Sequence, residues 1–146
     1  MAELSRKNVE RLLKLAFWIG ALTDGLAIIP MASPEIGTML FGGDLSKLGP
    51  AYRFAMTIGA SLMAGWTVLL MWGSAKPAER RPILIFTVFP VITGIIAATV
   101  YGVINHVVLL PRVMPLWIHL CGVSALYVAV CLLPIKGNPS NDCDNP

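Results

Sequence analysis

The chain has 146 residues, of which 56% are hydrophobic and only 13% charged, whereas about a quarter of a soluble domain is charged. With a mean hydropathy of +0.74, it is expected to be an integral membrane protein. Its net charge of +3 is small and its basic residues sit in short clusters beside apolar runs, so no nucleic acid is expected as a partner.

A helix needs about 20 mainly apolar residues to cross a hydrocarbon core of about 30 Å. The first such stretch, residues 12–31, follows the basic residues Arg6, Lys7 and Arg11 and has Lys14 in its first turn. A cleaved signal peptide is the competing reading. The long charged region, Asp24 within the run, and Pro30 just before the small residue Ala32 all favour a retained helix. The connection "ASPEIGTMLFGGDLSKLGP" is rich in Gly and Pro, and its centre, "IGTMLF", is expected to lie on the membrane surface. The second stretch covers 51–73 and ends in the basic loop "SAKPAERRP". The third, 83–110, turns through "PRV" into the fourth, 114–134. Residues 135–146 are polar and contain proline, and are expected to form a disordered cytoplasmic tail.

These spans must be helical, because an open strand edge would leave backbone groups unpaired in lipid. The expected fold is therefore an all-α membrane protein: one domain, residues 1–134, forming an up-and-down bundle of four transmembrane helices. Arg6, Lys7, Arg11, Lys14, Lys76, Arg80, Arg81 and Lys136 fall on one side, against Lys47, Arg53 and Arg112 on the other. This bias predicts a multi-pass protein of the cell membrane, the inner one in a bacterium, with both termini cytoplasmic.

Counting about 1.5 Å per residue gives the depth of each polar residue. Asp24, Arg53, Asn105, His106 and His119 all fall in the outer half, with Tyr101 beside them. An unpaired carboxylate there costs about 3 kcal/mol on insertion scales, so Asp24 is expected to pair with Arg53 of the neighbouring helix. His106 and His119 flank the "PRV" turn, and interhelical hydrogen bonding is the main expectation for them. Haem between them is disfavoured because hairpinned helices pack only 8–10 Å apart.

Small residues at a spacing of four mark faces that let helices approach closely. Such lines run through Ala21 and Gly25, through Ser61 and Gly65, and through Gly94, Ala98 and Gly102. They predict that the polar residues point into the bundle. Pro90 deprives the Phe86 carbonyl of its donor, so Pro90 and Gly94 are the candidate kink or hinge. Tyr52, Trp72 and Trp117 are expected to anchor the helices at the membrane interfaces. Cys121, Cys131 and Cys143 show neither metal spacing nor a pairing framework, and no metal site is expected.

Catalytic signatures are absent from the sequence: it has no phosphate-binding glycine loop, nucleophile elbow or redox cysteine pair. The leading expectation is a non-enzymatic subunit or assembly protein without a cofactor. Its partners would be the lipid bilayer and other membrane subunits or a second copy. In having a carboxylate in the first of four helices, the chain resembles small multidrug resistance transporters. That resemblance implies an oligomeric, proton-coupled small-molecule carrier using Asp24. A third reading is a redox subunit that binds haem or quinone through His106 and His119.

Overall fold

The computed structural model describes residues 6–42 and 49–133, and every element among them is helical. Four helical spans are long and apolar enough to cross a membrane: Lys7–Ala32, Pro50–Ala75, Pro82–Ile104 and Leu110–Leu132. The expected tail, 135–146, lies outside the described residues, as do Lys47, Lys136 and Cys143.

The elements are α1 (Arg6–Ala32), α2 (Pro34–Phe41), α3 (Pro50–Ala75), α4 (Pro82–Phe86), a π-helical segment (Thr87–Ile92), α5 (Thr93–Ile104) and α6 (Leu110–Leu132). Proline stands in the first two positions of α2, α3, α4 and α6. Its fixed φ suits the first helical turn, and its missing N–H is one that turn leaves unbonded anyway. Inside the third span, Pro90 has the opposite effect. The backbone widens into the π segment around it, and the Thr93 N–H reaches back to the Val88 carbonyl.

The "IGTMLF" segment folds as α2, an eight-residue helix that exposes Ile36, Met39 and Leu40. At its first turn, the Glu35 carboxyl is held below its usual range. Its own backbone N–H contributes most, followed by the Ser33 hydroxyl, with a smaller effect from Arg53. Gly42 ends the helix in the left-handed region at φ +82°, where a side chain would be strained.

The third span ends six residues earlier than its apolar composition suggests. The His106 N–H bonds the Val103 carbonyl at 3.1 Å, and the Val107 N–H bonds the Gly102 carbonyl at 2.8 Å. These two bonds form a Schellman motif, with His106 at its left-handed position, φ 56°. Asn105 and His106 therefore lie in the turn rather than inside a helix that runs to Leu110. Hydropathy alone does not register such a stop, because the residues after it are apolar.

Helix α1 is the hub. It packs along α3 and also touches α2 and α6, while α6 in turn meets α4, the π segment and α5. Its buried residues are Val9, Leu13, Ala16, Phe17, Gly20, Ala21 and Asp24, one stripe at helical spacing. The contacts with α3 run antiparallel. A Cβ at Gly73 would lie 2.4 Å from the Phe17 ring, one at Gly25 3.7 Å from Thr67, and one at Gly59 2.8 Å from Met31. Small residues opposite large ones set the close approach that holds helices together in lipid.

Of the buried residues of α6, Leu120, Val123, Tyr127 and Val130 face the same core, and Val113 is buried apart from it. Most buried side chains lie in the half of the protein nearer the first turn of α1. Of α3, only Leu70, Gly73 and Ser74, near its end, are buried.

Candidate functional site

Polar groups join the helices through one repeated device. The Thr87 hydroxyl donates to the Ile83 carbonyl one turn back (2.9 Å) and accepts the indole N–H of Trp66 of α3 (3.2 Å). The Thr99 hydroxyl donates to the Ile95 carbonyl (2.9 Å) and accepts the indole N–H of Trp117 of α6 (2.8 Å). The third case joins α1 to α6. Thr23 donates to the Ile19 carbonyl at 2.9 Å, and its oxygen lies 3.2 Å from Nε2 of His119. With the single Thr23 proton given to the Ile19 carbonyl, the bond to His119 is made in the tautomer that carries its hydrogen on Nε2.

His119 thus performs the same task as two tryptophans, side chains that neither ligate a metal nor shuttle a proton. Each ring N–H extends a helix's own hydrogen-bonding to its neighbour, at a net worth of about 0.6–2 kcal/mol in a membrane. Interhelical bonding, the main expectation for the histidines, is made by His119. His106 is exposed in its turn and plays a backbone role there.

Asp24 follows Thr23 and falls on the buried stripe of α1, with 8% of its surface accessible. The expected partnership with Arg53 is not made. Arg53 is exposed on α3 and within electrostatic reach of Glu35, and Asp24 Oδ2 is buried without a hydrogen-bond partner. Arg53 sits in the first turn of α3, beyond the level of Gly59, where α3 meets the end of α1 at Met31, and so lies far along the helix from the level of Asp24.

Tyr127 of α6 is fully buried and within electrostatic reach of Asp24. Its hydroxyl also lacks a hydrogen-bond partner. That hydroxyl occupies the space over Gly20, one turn before Asp24, where a Cβ would lie 1.9 Å from it.

The other expected members of the cluster stand apart. Tyr101 is exposed on α5, and the Asn105 side-chain amide donates to the Tyr101 carbonyl at 2.8 Å, within its own chain turn. Sequence reasoning did not single out Thr23, Trp66, Thr87, Thr99 or Tyr127. Tyr127 was legible, since it continues the α6 stripe, whereas the threonine links depend on which faces meet.

The small-residue lines divide in the same way. On the α1 line Ala21 is buried and Gly25 half-buried, and Gly102 at the end of the α5 line is buried, but Ser61, Ala64 and Gly65 of α3 and Gly94, Ala97 and Ala98 of α5 are exposed. A Cβ at Gly65 or Gly94 would meet nothing within 4 Å. These faces do not point into the protein as expected, because α3 turns the line through Gly59, Met63, Trp66 and Leu70 toward its neighbours instead.

At the end where the chain's first helix begins, basic residues are put to local use. Arg81 donates to the Leu133 carbonyl at 2.9 Å, just past the end of α6, where unbonded carbonyls and the helix dipole favour a cation. Arg80 stacks on Trp72, 3.3 Å from the ring centroid. Among the described residues, no group of three or more His, Cys, Asp or Glu is placed to hold a metal ion. No family model, characterised protein or solved structure matches this chain.

Proposed function

We propose that the protein is a non-enzymatic subunit of a membrane assembly, docking another transmembrane helix on the small-residue faces of α3 and α5. The single observation that carries this reading is the uncovered line Ser61, Ala64 and Gly65, matched on α5 by Gly94, Ala97 and Ala98. In lipid, helix association depends on close van der Waals contact, and small residues permit it. The hydroxyls on the α3 face already bond their own helix: Ser61 donates to the Thr57 carbonyl and Thr57 to the Arg53 carbonyl. A partner backbone can therefore lie against this face without leaving a polar group unpaired. In this reading the basic end of the protein is cytoplasmic, as the charge bias predicts, and the buried polar residues fix the packing of α1 against α6.

Mild extraction from the native membrane followed by native electrophoresis tests the proposal. It predicts a species heavier than one 15.7 kDa chain with its detergent, and mass spectrometry then identifies a second subunit or a second copy. A single unassociated chain would refute it. A carrier that uses Asp24 is the second reading, favoured by the unpartnered oxygens of Asp24 and Tyr127. Proton flux into liposomes that is lost in Asp24→Asn would bring that reading first. The redox reading gains no support, since Nε2 of His119 is engaged with Thr23.

A further inference from the structure

Where α1 begins, its first turns and the end of α3 enclose an open cleft of about 310 Å³. That is the space of about ten water molecules. Lys7, Glu10, Arg11 and Lys14 line one wall, and Ser74 and Ala75 line the other. Lys7, Arg11 and Lys14 succeed one another at spacings of four and three, which puts them on one face of α1. Three cations thus converge on a cleft with a single carboxylate.

The level of the cleft is marked by Trp72, exposed two residues before Ser74 and covered by the Arg80 guanidinium. Indole rings of membrane helices gather at the headgroup layer. We propose that this cleft seats the phosphate of an anionic phospholipid headgroup. Arg11 offers the phosphate a planar pair of donors, and Lys7 and Lys14 offer it point charges. The acyl chains continue along the apolar surface of α1, where Leu15, Trp18 and Leu22 are exposed.

The test is native mass spectrometry of the full chain in mild detergent, titrated with phosphatidylglycerol or phosphatidylcholine. Phosphatidylglycerol should bind preferentially, and each cation changed to Gln should weaken it about fivefold. The triple variant Lys7→Gln, Arg11→Gln, Lys14→Gln should lose the preference. Lys76→Gln should not, since Lys76 pairs with Glu79 at 3.4 Å and lies outside the cleft. If the triple variant fails to fold, Lys7→Gln and Lys14→Gln singly provide the same reading. Equal binding of the two lipids, or unweakened single variants, would overturn the proposal. Displacement of phosphatidylglycerol by millimolar inorganic phosphate would also overturn it, because the site would then belong to a free phosphate.

Discussion

Changing Gly20 to alanine puts the contact between α1 and α6 under a defined load. The added Cβ would lie 1.9 Å from the Tyr127 hydroxyl oxygen and 3.2 Å from both its ring carbon Cζ and Leu70 Cδ1. Since real Cβ contacts do not fall below 3.0 Å, the hydroxyl must retreat by at least about 1.1 Å. Tyr127 is fully buried, so the whole ring or the α6 backbone has to move with it. Overpacking of this kind costs about 1–3 kcal/mol.

Tyr127→Phe removes the offending oxygen, and with it a hydroxyl that has no hydrogen-bond partner. Alone it should therefore change stability by less than about 1 kcal/mol. The double change should recover most of the loss, because the remaining contacts at 3.2 Å need shifts of only a few tenths of an ångström. The assay is unfolding of the purified protein by SDS in mixed micelles, followed by circular dichroism for all four members of the cycle. A coupling of at least about 1 kcal/mol is expected. Strictly additive effects would show that Tyr127 does not lie over Gly20.

Three further groups of substitutions probe the polar residues by the same measurement. His119→Leu should cost about 0.6–2 kcal/mol by removing the donor to Thr23, as Trp66→Phe and Trp117→Phe should at their threonines, while His119→Gln should keep most of the stability. His106→Gly should leave stability unchanged or raise it by up to about 1 kcal/mol, because glycine adopts the left-handed conformation freely, whereas His106→Val should lower it. Asp24→Asn and Arg53→Gln should have effects that add within about 0.5 kcal/mol, since the two side chains are not partners. A coupling of about 3–5 kcal/mol would restore the ion pair between them.

Composition and hydropathy made four helices long and apolar enough to cross a membrane legible, because spanning a hydrocarbon layer demands a length and an apolarity that few other roles require. The burial of Asp24 was equally legible: it stands at the helical spacing from Gly20 and Ala21. Its partner was not. Charge alone made Arg53 the obvious choice, yet depth along the antiparallel helices α1 and α3 decided otherwise. The early stop at Ile104 depends on two backbone hydrogen bonds and on one residue accepting a positive φ, and histidine carries little such signal. The threonine links were invisible for a different reason. A threonine one turn from a carbonyl is common, and only the helix that packs against it determines whether a ring N–H arrives.

The central claim, that the uncovered faces of α3 and α5 dock a partner helix, is tested most directly by photocrosslinking in the native membrane. A benzophenone side chain replaces Gly65 of α3 or Gly94 of α5, with Leu22, exposed on α1, as the lipid-facing control. On irradiation, the account predicts a protein adduct of one defined mass from positions 65 and 94, and lipid adducts alone from position 22. Lipid adducts alone from all three positions would contradict it.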